Sequence, residues 1–192
     1  MPADRWLIIG LGNPGPAYAG NRHNAGYMVA DVLAARAGVR LRRDRLRRAQ
    51  VSTAELDGIP VIVAKPMTYM NVSGGPAARL RSYYKIPPAR IVVIHDELDI
   101  PFGRIRLKLG GGDNGHNGLR SVTAALGTRD YYRVRVGIGR PPGRTDAADF
   151  VLHDFSPTER VHLAAVLDRS AAAVEALLAR GLEPAQNEFH QG

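Results

Sequence analysis

The 192-residue chain reads as a single α/β domain, a sheet flanked by helices, on three observations. Trp6-Leu7-Ile8-Ile9 with Leu11 is an apolar run closed by a glycine-rich turn, the pattern of a strand covered on both faces, since a half-exposed strand would alternate. Asp57-Gly58 separates two β-rich runs, the strongest short-range hairpin signal. Stretches with apolar residues at helical spacing lie between and after these runs, as an α/β domain requires.

In chain order, residues 25–37 carry Met28, Val32 and Leu33 at helical spacing, and Gly38 provides the stop. Residues 50–56 and 59–65 form the antiparallel pair, which Pro66 ends, and 67–75 reads as a loop. Pro76 suits the first turn of a helix that runs to Tyr84 and is broken by Pro87-Pro88. Residues 90–95 predict a second buried strand, followed by an acidic turn, Asp96-Glu97-Leu98-Asp99. The alternation over 104–109 predicts a strand exposed on one face, and a glycine-rich loop follows over 110–115. Asn117 is expected to cap a helix over 118–126. Residues 132–138 alternate again, placing Arg133 and Arg135 on one face, and 141–149 reads as a linker. Ser156-Pro157-Thr158-Glu159 has the form of a capping box with proline at the first helical position, opening a long amphipathic helix at about 157–180 that Gly181 stops. Residues 182–192 read as a polar tail.

Composition narrows the function. With no cysteine there is no disulfide framework, no thiolate metal site and no cysteine nucleophile, which suits a reducing cytosol. The start of the chain does not read as a signal peptide and no apolar run reaches membrane-spanning length, so a soluble, cytoplasmic protein is expected. A formal charge of +8 points to an anionic partner, with nucleic acid ahead of a membrane because no basic amphipathic helix with an aromatic face is present. Arginines are dense from Arg36 to Arg48, where a solvated face is the simplest reading.

Gly10-Leu11-Gly12-Asn13-Pro14-Gly15 matches the glycine fingerprint of dinucleotide binders, but the loop continues where a phosphate-binding helix should open, and no acidic residue ends a second strand. Chemistry is expected instead from polar clusters at strand ends: Asn13 with Asn21-Arg22-His23-Asn24, then Thr68-Tyr69-Met70-Asn71, then His95-Asp96-Glu97. A His beside an Asp can act as a general base, and without a cysteine or a serine elbow the nucleophile would be water. His95 and Asp96 alternate to opposite faces, so His95 is expected in the core. Asn13, Asn71 and Asn117 offer neutral amides suited to a peptide backbone or a ribose, or alternatively turns and caps. Lys108 and Arg135 could bind phosphate if their faces turn outward together. A metal site built from Asp96, Glu97 or Asp99 with His23 or His116 has no supporting ligand spacing.

These residues fall in six motifs: Gly10-Leu11-Gly12-Asn13-Pro14-Gly15, Asn21-Arg22-His23-Asn24-Ala25-Gly26, Lys65-Pro66-Met67-Thr68-Tyr69-Met70-Asn71-Val72-Ser73-Gly74, His95-Asp96-Glu97-Leu98-Asp99, Gly115-His116-Asn117-Gly118-Leu119 and Arg133-Val134-Arg135-Val136-Gly137-Ile138-Gly139. With them, nearly the whole chain resembles bacterial-type peptidyl-tRNA hydrolase. The resemblance implies a monomer with a mixed sheet that cleaves the ester between a peptide and the 3'-terminal ribose of tRNA, recycling tRNA from aborted translation with no metal and no organic cofactor. It implies that His23 activates water, that Asp96 supports it, and that Asn13 distinguishes N-blocked from free aminoacyl groups. Tyr18, Tyr69, Asn71 and Asn117 would hold the peptide and the tRNA end, with Met70 and His116 in the same cleft, and Lys108 and Arg135 would meet the 5' phosphate. Two features depart from the family pattern: the arginine-rich stretch, and Asp113-Asn114 in a loop where the family usually has small or neutral residues. The competing class is an RNA-binding protein on the same scaffold without hydrolysis; the set Asn13, His23, Asp96 and Asn117 argues against it.

Overall fold

In the computed structural model, which describes residues 4–191, strand β1 (Trp6–Gly10) lies at the centre of a seven-stranded sheet. The remaining strands are β2 (Arg42–Asp44), β3 (Ala49–Leu56), β4 (Ile59–Pro66), β5 (Ile91–Glu97), β6 (Ile105–Leu109) and β7 (Tyr132–Gly137), in the order β2-β3-β4-β1-β5-β7-β6. β1 pairs in parallel with β4 and β5, and β5 in parallel with β7, whereas β2/β3, β3/β4 and β6/β7 are antiparallel, so the sheet is mixed. The hairpin turns at Asp57 and Gly58, both at positive φ (51° and 78°), the geometry that matches the twist of the flanking strands.

Alternate residues of the central strands feed two cores. Ile8, Val63, Val92, Ile94 and Val134 pack against α1 (Ala25–Arg36) and, later in the chain, α5 (Pro157–Arg180). Leu7, Ile9, Ile62 and Val93 face α2 (Gly74–Tyr84) and α3 (Asn117–Leu126) through Leu80 and Val122. Helices on both faces explain why β1 and β5 are apolar without alternation.

The expected elements are present, but the loop expected over 67–75 holds a 3-10 turn, Met70–Val72, and the first residues of α2, and five other regions differ. The arginine-rich stretch contains the short edge strand β2, since only three residues are needed to pair with β3. The acidic turn starts later than expected because β5 continues through Asp96 and Glu97, which pair with Val136 and Gly137. The expected linker over 141–149 contains the start of a short helix, α4 (Ala147–Val151), opened by the Asp146 carboxylate accepting from the Ala148 N–H at 3.1 Å. Asn117 is not the cap of α3 but its first residue; the His116 side chain caps it instead. The polar tail expected over 182–192 is the helix α6 (Leu182–Phe189), apart from its last residues, Gly192 lying outside the described ones. Its polar composition hides Leu182, Ala185 and Phe189, a stripe at helical spacing that docks on the first core. α6 also occupies the free edge of β6: Gln186 Nε2 donates to the Leu107 carbonyl at 3.0 Å, and the Leu107 N–H donates to His190 Nε2 at 2.8 Å.

Candidate active site

The site begins with two glycines. A Cβ on Gly10 would lie 2.2 Å from the Gly26 carbonyl oxygen, and one on Gly26 would lie 2.3 Å from the Ile94 carbonyl oxygen. Only glycine lets the start of α1 sit this close to the ends of β1 and β5. The Tyr27 N–H then donates to the Leu11 carbonyl at 3.1 Å, and the 3-10 turn Arg22–Asn24 is held over the strand ends. Within that turn the side chains diverge. Arg22 runs away from the strand ends to Glu159 at 2.9 Å and stacks on Phe150, while buried Asn24 braces the loop by accepting from the Asn13 N–H at 2.8 Å and donating to the Asn13 carbonyl at 3.0 Å. His23 points to β5.

Asp96 stands between two imidazoles. Its Oδ2 is 2.8 Å from His23 Nδ1 and its Oδ1 is 2.8 Å from His116 Nε2, and the carboxylate is almost wholly buried. Burial pushes the Asp96 carboxyl up, but its electrostatic interactions with His23 and His116 and the hydrogen bonds from both rings outweigh it and hold the group well below the carboxylate range. Burial pushes the His23 imidazole down, yet the charge of Asp96 and the hydrogen bond to it prevail and raise it above 6.5. An ionised carboxylate only accepts, so His23 Nδ1 carries a proton and Nε2 keeps its lone pair. That arrangement can take a proton from water. His95 is in the core as expected: Nδ1 donates to the Asp96 carbonyl at 2.7 Å, and burial, with His116 beside it, depresses its pKa well below 6.5.

Two hollows meet at His23. One, of about 160 Å³, is lined by Asp96, Glu97, Leu98, His116 and the α4 residues Ala148 and Val151. The other, of about 250 Å³, is lined by Asn13, Met70, Asn71, Asn117 and Val151. The structure therefore brings together His23, Asp96, Asn13, Met70, Asn71, His116 and Asn117. Tyr18 and Tyr69 stand edge to face with their rings 6.2 Å apart, Tyr69 being 60% exposed. Met70 is buried against Gly118, where a Cβ would lie 2.5 Å from its sulfur, so a side chain at the position after Asn117 would displace the end of Met70.

Lys108 and Arg135 line neither hollow. β6 and β7 pair Lys108 with Arg133 and Arg106 with Arg135, which puts four cations on one face. Like charges directly opposite are destabilising, and none of the four has a carboxylate partner within salt-bridge distance among the described residues. Burial lowers both the Lys108 and the Arg135 pKa, and the neighbouring cations add to it. Arg133, fully buried, donates from Nη1 to the Gly112 carbonyl at 2.5 Å and from Nη2 to the Arg129 carbonyl at 3.2 Å, so it supports the glycine-rich loop.

Sequence reasoning missed the bracing role of Asn24, although it stands in the same motif as His23, and the lining residues of α4, which had no strong local signal. Asp113-Asn114 has a structural account. Asp113 accepts from the Gly115 N–H at 2.9 Å, and Asn114, at φ 49°, donates from Nδ2 to Glu97 at 2.9 Å and also to Asp99. The pair shapes the loop and ties it to the end of β5. Donor atoms of His23, Asp96 and His116 lie within 4.8 Å of one another, close enough to share a cation, but the four facing atoms are already engaged in the two Asp96 hydrogen bonds.

An α/β protein with a polar site at the carboxyl ends of its parallel strands and a basic face on the flanking antiparallel pair is the class that fold and site define. The chain belongs to the peptidyl-tRNA hydrolase family, whose sequence model matches residues 7–192. Peptidyl-tRNA hydrolase of Frankia alni is 63% identical over 185 residues, 96% of this chain and 93% of the relative, and that of Mycolicibacterium smegmatis is 56% identical over 98% of both chains. The crystal structure of peptidyl-tRNA hydrolase from Acinetobacter baumannii superposes with a TM-score of 0.90 at 36% identity, covering 97% of this chain and 95% of that one. No helix among the described residues is long and apolar enough to cross a membrane.

Proposed function

We propose that this chain hydrolyses the ester joining a peptide, or an N-blocked amino acid, to the 3'-terminal ribose of peptidyl-tRNA. The observation that carries the reading is the His23 Nδ1 to Asp96 Oδ2 contact of 2.8 Å, which leaves Nε2 of His23 as the free base. His23 Nε2 takes a proton from water as the oxygen attacks the ester carbonyl. The tetrahedral oxyanion collapses, the C–O bond to the ribose breaks, and the imidazolium returns its proton to the leaving oxygen. Asp96 fixes the tautomer and stabilises the imidazolium. No step calls for a metal or organic cofactor.

Asn13 supplies substrate choice. Its Oδ1 accepts from the Met70 N–H, so the end of the amide left for a ligand is the NH2 donor. A donor can serve an amide carbonyl of a blocked substrate, whereas the ammonium of a free aminoacyl group gains no acceptor and is desolvated at a cost. Asn71 and Asn117, which line one hollow with His23, hold the ribose or peptide backbone on this reading, and the edge-to-face pair Tyr18 and Tyr69 stacks on the tRNA end. Lys108 and Arg135 meet the 5' phosphate. The chain works as one catalytic domain and as a monomer, since it supplies every group named, and it acts in the cytoplasm on stalled translation products. A non-catalytic RNA-binding role would not require the intact His23–Asp96 pair.

Release of deacylated tRNA from an N-acetylaminoacyl-tRNA tests this, with the wild type and His23→Ala compared in the presence and absence of chelator. Wild-type turnover that chelator leaves unchanged, lost in His23→Ala with tRNA binding retained, is expected. Equal turnover by the two proteins overturns the mechanism, and loss in chelator restored by a divalent ion favours a metal.

A further inference from the structure

The Asp96 carboxylate has two oxygens, and the mechanism above uses one. The other meets His116, whose ring is fixed from its far side as well. His116 is the N-cap of α3, and its Nδ1 accepts from the Leu119 N–H at 3.2 Å, in the manner of a capping carbonyl or hydroxyl. A ring nitrogen that accepts carries no proton, so the neutral imidazole has its hydrogen on Nε2. Nε2 is 2.8 Å from Asp96 Oδ1, and the side chains of His116 and Asp96 are only 9% and 2% exposed. A second proton on Nδ1 would break the cap and put a positive charge at the positive end of the helix dipole.

We propose that His116, as its neutral Nε2–H tautomer, is a positioning residue that pins Asp96 to the start of α3 and so holds the carboxylate in the plane that His23 needs, rather than contacting substrate. The inference rests on the proposed hydrolysis. With Oδ2 receiving the His23 Nδ1–H and Oδ1 the His116 Nε2–H, the carboxylate cannot swing about its Cα–Cβ bond without losing one donor. The backbone N–H of His116 donates to the Asp113 carbonyl at 2.8 Å, so the alignment of the couple is also tied to the glycine-rich loop. A cation bound through His116 Nε2 would force the ring proton onto Nδ1, against the Leu119 N–H, so the cap that orients Asp96 also opposes metal binding there.

His116→Asn separates the two roles of the ring. Its short amide keeps the cap, for which asparagine is well suited, but falls short of Asp96. We expect kcat on N-acetylaminoacyl-tRNA to fall about 10–100-fold, the usual cost of losing a group that orients a ligand or carboxylate, with KM nearly unchanged. In an Asp96→Ala background, where no carboxylate remains to be positioned, the same substitution should have little further effect. A rise in KM with kcat intact makes His116 a substrate contact. An equal loss in both backgrounds makes it a structural cap, and no loss in either removes its role; each of these overturns the proposal. The ring 15N shifts of His116 read the tautomer without any turnover, so they stay decisive should the wild type fail to hydrolyse the substrate. A bare Nδ1 and a protonated Nε2 are expected, and a protonated Nδ1 overturns the proposal.

Discussion

Asn13 Oδ1 accepts a hydrogen bond from the Met70 backbone N–H at 2.7 Å, joining the loop after β1 to the 3-10 turn Met70–Val72. The amide therefore has a fixed orientation that leaves its NH2 donor free, and Asn13 lines the hollow that His23 and Asn117 also line. Asn13→Asp retains the bond to Met70 but replaces the donor by a charged acceptor, and Asn13→Ala removes both. Both should lower kcat/KM for an acetylated aminoacyl-tRNA about 10–100-fold, and the aspartate should also narrow the preference over the free aminoacyl form, since it can accept from an ammonium. Competition kinetics with the two substrates measure the ratio. An unchanged ratio removes Asn13 from discrimination.

The proposed His23–Asp96 couple predicts a pH dependence. Burial alone lowers the His23 pKa, but Asp96 raises it above 6.5, and the base is active only when deprotonated. The acid limb of kcat/KM is thus expected above pH 6.5 in the wild type. Asp96→Asn removes the charge and leaves the burial, so the limb should move to lower pH while the plateau drops, within the roughly 10²–10⁴-fold range of general-base catalysis. In stability the sign is opposite: a raised folded-state value stabilises the protein below 6.5, and that contribution is lost as the pH rises through it. A variant whose acid limb stays where the wild type has it assigns the titration to another group.

Much of this site is legible in the sequence because its parts are local. A glycine-rich turn after an apolar run marks a strand end, and His23 between asparagines marks a polar loop. The hairpin at Asp57-Gly58 and the capping box at Ser156 need only nearby residues; the box closes with Ser156 Oγ accepting from the Glu159 N–H at 3.1 Å. The unread features depend on contacts distant in sequence. Asp96 and His116 are 20 residues apart and meet only because α3 starts beside the end of β5. α6 was hidden by its polar face and takes its place from the unpaired edge of β6, a tertiary feature that local composition does not contain.

Arg22 offers a test of stability distinct from chemistry. Glu159 Oε1 accepts from both Arg22 Nη2 and the Ser156 N–H, each at 2.9 Å, so the capping carboxylate of α5 also anchors the turn that carries His23. Arg22→Met keeps bulk over Phe150 but leaves Glu159 without its cation, and the protein should lose about 2–3 kcal/mol. Urea denaturation measures the loss. A change within about 0.5 kcal/mol, the range of ordinary surface substitutions, would show that the pair contributes little.

The docking of α6 should weaken in acid. His190 Nε2 must be unprotonated to accept from Leu107, and burial, with Arg106 and Arg135 nearby, lowers its pKa. A depressed folded-state value means stability that is present above 6.5 and lost as the pH falls through it. Corrected for intrinsic rates, hydrogen exchange at the Leu107 amide should therefore speed up below about pH 6.5 in the wild type. In His190→Asn the amide should exchange fast with no such transition. Unchanged protection in acid sinks this account.

Substitutions at Lys108 and Arg135 test whether tRNA recognition is separate from chemistry. They share a face with Arg106 and Arg133 but not the hollows around His23, and the register places Lys108 opposite Arg133 and Arg106 opposite Arg135. Such an arrangement opposes folding and favours an anionic ligand. Lys108→Ala and Arg135→Ala should raise KM for full-length substrate with little change in kcat, and each should lower the slope of log KM against log salt by about 0.7–0.9, because one fewer counterion is released on binding. A minimal ester carrying only the terminal nucleotides lacks the 5' phosphate, so its hydrolysis should be almost untouched. Lys108→Ala should also leave stability unchanged or raise it by a few tenths of a kcal/mol as cross-strand repulsion is relieved. Weaker tRNA binding in a protein no less stable identifies a charge retained for its ligand, whereas equal damage to both substrates, or a loss of stability, assigns these residues to the cleft or to the fold.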